Sequence, residues 1–359
     1  MFAHEVVCTH TTFTRNPYDY AMIKQPEPYS HGWQCHGSSR RDCPPCVRSI
    51  PTGANAARLL LLIGDSLDRS VVWRSCEAEK SYSLKPLCGC KNGFACGPLS
   101  DGTVFANLFL VGLLTPQQQN TPGALLPSEP PLAQQRMHLL LPEMLANVSA
   151  ALPTTVLLAP GSWDALAAGE DRPAMSALKT AFEDGKFARA CRQLISEARA
   201  AFRKFSSARL LWHSAPAPHD ARSFSPHGSG SSLDGFARRM QLTSSVGTAE
   251  ACSAGLGLLD WRGWSCRHAD YRQLATGQHY NATGSLLLAD MLRKAHDNPN
   301  SVANACRATH PFWDTTRGCC VSGVRKPGGA ATAGPVGPGA GPGPGTYYNR
   351  SHTDLRACQ

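Results

Sequence analysis

The sequence predicts an α/β fold: a mostly parallel sheet with helices on both faces. Three observations carry that expectation. Short apolar runs, Leu59 to Ile63, Thr155 to Ala159 and Ala208 to Trp212, have the length of strands. Longer segments with helical spacing lie between and after them. The first run is apolar at every position, which suits a strand buried on both faces. Parallel neighbours need a crossover of helix length, so this alternation favours parallel pairing.

Taken in chain order, residues 1–57 are rich in His, Pro and Cys without periodicity and read as an irregular extension. The α/β domain is expected over 58–300, a Cys-containing extension over 301–326, and a disordered Gly/Pro-rich tail over 327–359. The tail's Gly-Pro-Ala tract lacks a strict three-residue period, which excludes collagen. Within the domain, Arg136 to Leu152 reads as a helix that Pro142 kinks or divides. Ala174 to Phe205 carries Leu178, Phe182, Cys191, Leu194, Ile195, Ala198, Phe202 and Phe205 near helical spacing, with Gly185 bending or dividing the segment. Ser285 to His296, after Gly284, reads as a final amphipathic helix. Loop-rich insertions at Cys88 to Gly102, Thr115 to Pro131 and Pro216 to Leu233 would shape a substrate entrance at the strand ends.

Composition narrows the class. A hydrophobic content of 42% and a charged content of 17% fit a globular chain rather than a disordered one. No apolar run approaches the roughly 20 residues that span a bilayer. The 35 Lys and Arg exceed the 26 Asp and Glu, for a net charge of +9. That charge is spread out, as a solvated surface or a diffuse field for polyanions. No basic-aromatic nucleic-acid motif is present. Fifteen cysteines and the sequons at Asn147, Asn281 and Asn349 favour an oxidising setting, in the secretory pathway or outside the cell. Met1 to Tyr20 lacks the basic start and apolar middle of a signal peptide, so an incomplete amino terminus or a lost anchor is expected. Cys43-Pro44-Pro45-Cys46, and Cys88-Gly89-Cys90 with Cys96, make only a loose zinc or redox pattern, and structural disulfides are the expectation.

The first apolar run ends abruptly in Gly64-Asp65-Ser66-Leu67, followed by a helix-compatible segment through Arg69. Gly64 permits a tight exit, and Ser66 falls in the first helical turn. Its hydroxyl would then project from the carboxyl end of the sheet, where open α/β folds bind their ligands. Backbone N–H groups at the helix start could stabilise an oxyanion there. Ser66 is thus a nucleophile candidate, although an ordinary turn capped by Ser66 or Asp65 fits the same residues. A serine nucleophile needs a base. His279, in Gly277-Gln278-His279-Tyr280-Asn281 ahead of the last helix, is the candidate; a polar loop histidine beside a glycan acceptor is the alternative.

These residues resemble the SGNH, or GDSL, hydrolases over roughly Arg58 to His296. The resemblance rests on Gly64-Asp65-Ser66-Leu67 with Arg69, Gly112 in Phe109-Leu110-Val111-Gly112, Gly161-Ser162-Trp163-Asp164, and the Gly-x-His block at His279. It is nearest the PC-esterase and trichome-birefringence-like branch of acyl esterases and O-acetyltransferases. It implies a three-layer α/β/α, flavodoxin-like fold and a serine-dependent ester hydrolase or O-acyltransferase, acting on acylated carbohydrate or another small ester. Ser66 would attack the carbonyl, His279 would take its proton, and the Ser66 and Gly112 N–H groups would hold the oxyanion. No metal or organic cofactor is implied. Asp65 is expected to bond backbone groups at the elbow, and Gly161, Ser162 and Asp164 to support the site.

Two positions depart from the pattern. Thr276 stands where the last block has Asp, and Asp270 is the nearby acid that could replace it. Ala159 stands where the third block has Asn, a side-chain donor whose loss costs about 100- to 1,000-fold in rate. Ser162 could compensate. His213, in Trp212-His213-Ser214-Ala215-Pro216, occupies the Arg position of a Trp-Arg-x-x-Pro segment and reads as a satisfied loop histidine. The departures keep a second reading open, a catalytically impaired relative that binds carbohydrate or serves a structural role.

Overall fold

The run Arg58–Gly64 forms strand β1, and its side chains alternate between two cores. Leu59, Leu61 and Ile63 pack on one face, Leu60 and Leu62 on the other, and all are fully buried. Each such burial contributes about 1.5–3 kcal/mol, which makes β1 the centre of the molecule. The computed structural model describes residues 50, 52–79, 85–86, 93–110, 112–114, 132–159, 162–167, 185–216, 233–267, 280–308, 312–314 and 319–321.

After β1 come α1 (Ser66–Ala78), β2 (Lys85–Pro86), β3 (Gly93–Cys96), β4 (Thr103–Phe109), α2 (Ala133–Met144), β5 (Thr154–Ala159), α3 (Ser162–Ala167) and α4 (Lys186–Ala201). Then follow β6 (Ala208–His213), α5 (Leu233–Ser253), β7 (Gly257–Leu259), α6 (Trp261–Arg267), α7 (Ala282–Asp297) and β8 (Ala303–Asn304). Strands β9 (Phe312–Asp314) and β10 (Cys319–Val321) form a separate antiparallel pair.

The main sheet runs β2-β3-β4-β1-β5-β6-β7-β8. Strands β4, β1, β5, β6 and β7 are parallel to their neighbours among these, while β2, β3 and β8 add antiparallel edges. Counted among themselves in chain order, the parallel strands lie 2-1-3-4-5, the flavodoxin-like arrangement. Helices α1 and α7 cover the Leu60 and Leu62 face; α2, α4 and the end of α5 cover the other. The expected three-layer α/β/α architecture with a mostly parallel sheet is what the chain adopts. β1 lies between its successors β4 and β5, so the connections leave its carboxyl end in opposite directions and open a crevice there.

The three expected strands are β1, β5 and β6. The helix expected from Arg136 starts earlier, at Ala133, and ends at Met144, two residues past Pro142. Helix α4 begins after Gly185, whose backbone is left-handed (φ 69°). Residues 174–184, also expected helical, lie outside the described residues. The final helix starts at Ala282, with Gly284 inside it and Asn281 capping it through the Gly284 N–H (2.8 Å). Strands β4 and β7 and helix α5 were not expected.

Two disulfides are present among the described residues. Cys76–Cys96 ties the end of α1 to β3, and Cys252–Cys306 ties the end of α5 to the turn after β8. Cys96 is therefore not a metal ligand, while Cys43, Cys46, Cys88 and Cys90 lie outside the described residues. Cys191 is a free thiol buried in α4, its pKa driven up by burial. No helix among the described residues is long and apolar enough to cross a membrane.

Candidate active site

The carboxyl ends of β1, β4, β5 and β6 carry the candidate residues, and Ser66 opens α1 directly after β1. Asp65 is the cap of α1. Its carboxylate accepts the Leu67 N–H (2.9 Å), and its own N–H donates to Asp68 Oδ2 (3.1 Å), a reciprocal capping box. The Asp65 carboxyl thus bonds backbone in the first turn of α1. Ser66 is half-buried and sits where the first N–H groups of α1 and the positive end of its dipole converge.

Gly112 lies just beyond β4, and an added Cβ would come within 2.5 Å of Asp164 Oδ1. Only a glycine lets this backbone approach the carboxylate. Asp164, fully buried in α3, accepts the Leu113 N–H through Oδ2 (2.6 Å) and the Leu114 N–H through Oδ1 (3.0 Å). Asp164 thus fastens the loop after β4 to the helix after β5. Arg136 of α2 donates from Nε to the Phe109 carbonyl (2.9 Å), and the Arg69 guanidinium lies over the Phe109 ring (4.6 Å). Ser162, buried at the start of α3, hydrogen-bonds the Asp65 side chain.

Burial, and next the Asp68 charge, push the Asp65 carboxyl up from 3.8 to about 7. The Leu67 N–H, the Ser162 hydroxyl and His213 oppose that rise without overcoming it. His213, at the end of β6, places Nε2 3.0 Å from Asp68 Oδ1 and Nδ1 3.1 Å from the Ser214 carbonyl. Its ring stacks on Trp261 (centroids 4.0 Å apart, 23° between planes). Beyond it, the Ser214 hydroxyl donates to Asp260 Oδ1 (3.1 Å) and accepts the Arg262 N–H (2.8 Å). The histidine is satisfied, as expected, but it is buried and tied to the elbow rather than standing in a loop. Asp68 and this tie were missed. The signal was there: an acid three residues after the cap aspartate is a capping-box spacing.

The structure therefore brings Asp65, Ser66, Ser162 and His213 into one region, with Gly112 and Asp164 joined beside it. His279, Thr276, Asp270 and Gly161 lie outside the described residues. Ala159 ends β5. Among the described residues, no group of three or more His, Cys, Asp or Glu is arranged to hold a metal ion.

No known family's sequence profile matches this chain, and no curated protein matches it in sequence. Solved structures do resemble it. A protein of Slackia heliotrinireducens assigned to the SGNH hydrolases is 18% identical, with a TM-score of 0.36, over 67% of this chain and 100% of that one. Est24, a carbohydrate acetylesterase from Sinorhizobium meliloti, is 13% identical with a TM-score of 0.39, over 67% of this chain and 99% of that one. An extracellular lipase from Streptomyces rimosus is 13% identical with a TM-score of 0.36, over 65% of this chain and 99% of that one. With TM-scores below 0.5, these likenesses leave the site to be judged on its own residues.

Proposed function

We propose that this chain is a serine-dependent acyl-ester hydrolase or O-acyltransferase of the SGNH kind, nearest the PC-esterase and trichome-birefringence-like branch, acting on acylated carbohydrate. The observation that carries the reading is the position of Ser66. It opens α1 at the carboxyl end of the central strand, at the point where the sheet's connections diverge. A hydroxyl there can attack a carbonyl drawn into the crevice while the Ser66 and Gly112 N–H groups receive the developing oxyanion.

His279 is the base in this reading. Tyr280, the next residue, is buried in the same apolar layer as Val71 and Val72 of α1, edge-on to Trp264 (centroids 5.5 Å apart). Helix α7, which follows, packs against α1. His279 takes the Ser66 proton, an acyl-enzyme forms, and water or a sugar hydroxyl then accepts the acyl group. Asp270 is the acid proposed to orient His279 in place of Thr276. Exposed Asn147 is a proposed glycan acceptor, and the two disulfides suit an oxidising compartment.

The test is reaction with a serine-directed phosphonate, with the labelled peptide identified, alongside hydrolysis of an acetyl ester. The expected result is labelling at Ser66 and loss of ester cleavage in Ser66→Ala and His279→Ala. Labelling elsewhere overturns the nucleophile. Ala159 and Thr276 favour the second reading, a carbohydrate-binding relative without turnover. Equal background hydrolysis by wild type and Ser66→Ala would establish that reading instead.

A further inference from the structure

The Asp68–His213 pair is buried, with side chains 1% and 5% exposed, yet takes no part in the acyl-transfer steps above. Burying two ionisable groups is costly, so their arrangement calls for a reason. The hydrogen-bond network limits where their hydrogens can sit. The Ser214 carbonyl only accepts, so the hydrogen on Nδ1 of His213 faces it. The Nε2–Oδ1 contact at 3.0 Å then needs one shared proton, on the imidazole or on the carboxyl. The other Asp68 oxygen accepts the Asp65 N–H, in the Gly64–Asp65 peptide that joins β1 to the residue before Ser66. One continuous line thus runs from the end of β6 through Asp68 to the elbow, braced by Trp261 against the ring.

We propose that His213 is a positioning residue for Ser66: it orients the Asp68 carboxyl, which holds the Asp65 N–H and so sets the direction of the elbow. This inference rests on Ser66 being the nucleophile. The device works by geometry rather than by net charge, because any group that donates to or accepts from Asp68 in the same line can replace the imidazole. In Asp68→Asn, the amide oxygen can accept the Asp65 N–H while its N–H₂ donates to Nε2 of a neutral His213.

The experiment is the rate of Ser66 labelling by the phosphonate, with kcat and KM for the acetyl ester, in the full chain with its disulfides intact. Folding of each variant is checked by thermal unfolding. His213→Leu keeps bulk but removes the donor; labelling and kcat should fall by on the order of 100-fold, with KM changed far less. His213→Gln and Asp68→Asn should retain most of the rate, and they keep the test open if His213→Leu does not fold. A folded His213→Leu labelling at the wild-type rate overturns the proposal, as does an Asp68→Asn as slow as His213→Leu. If wild type does not label at Ser66, the acyl-transfer reading has failed, and the clamp is read from hydrogen exchange of the Asp65 amide. Exchange accelerated tenfold or more in His213→Leu sustains the clamp, and unchanged exchange overturns it.

Discussion

At the residue scale, the cap aspartate and the loop glycine carry opposite lessons. Asp65 obeys the helix-start rule, but its carboxyl is buried beside Asp68, and its pKa rises from 3.8 to about 7. A raised native pKa means the folded chain binds this proton more tightly than the unfolded one. The group's contribution to stability is therefore complete below about pH 3.8 and is lost as pH climbs through about 7. Asp65→Asn keeps an acceptor for the Leu67 N–H and removes the titration. Urea unfolding between pH 4 and 8 should show wild type losing stability over a window where the variant stays flatter; parallel curves would reject this. Gly112→Ala meets a different obstacle, since its methyl would sit 2.5 Å from Asp164 Oδ1. That carboxylate holds the Leu113 and Leu114 N–H groups, so the loop moves instead. Ester cleavage should drop on the order of 100-fold while far-UV circular dichroism stays native.

At the element scale, α5 is a helix that its own sequence scarcely advertises. Gly235, Thr243, Ser244, Gly247 and Thr248 are weak helix formers. Packing selects them: Thr243, Ser244 and Thr248 are buried, and a Cβ on Gly247 would lie 2.5 Å from the Trp212 ring. Gly247→Ala gains up to about 1 kcal/mol of helix propensity but overpacks a rigid buried indole at about 1–3 kcal/mol. The net change should lower the melting temperature, and a rise would mean Trp212 can give way. Strand β4 was hidden for a related reason. Asn107 interrupts its apolar run, yet it is buried with Nδ2 donating to the Leu62 carbonyl of β1 (3.0 Å). Such an asparagine reads as a loop residue until its cross-strand partner is known.

At the scale of the whole molecule, the sheet's far edge depends on a covalent tie. Strand β8 is two residues long and, among the described residues, pairs only with β7; Cys252–Cys306 anchors the turn after it across 54 residues of sequence. A closed loop of that size stabilises by about 2–5 kcal/mol. Replacing both cysteines by serine should lower unfolding stability by that amount and speed hydrogen exchange at Leu258, whereas exchange near β1 should change least. At the amino end of β1, Arg58 pairs with Asp101 and with Asp297 of α7, and Arg293 of α7 pairs with Glu79 at the end of α1. These pairs are partly exposed, so each adds little by itself.

The sequence by itself determined the central strand, its two neighbouring apolar runs, the turn into Ser66 and the α/β class, because uninterrupted apolar runs and a Gly-Asp-Ser exit are local signals. Only the tertiary structure decided that β4 flanks β1, that Asp164 grips the Gly112 loop, and that His213 reaches Asp68 from 145 residues away. Those contacts join polar groups whose burial is tolerable only once a distant partner satisfies them. No window of sequence contains both halves of such a pair.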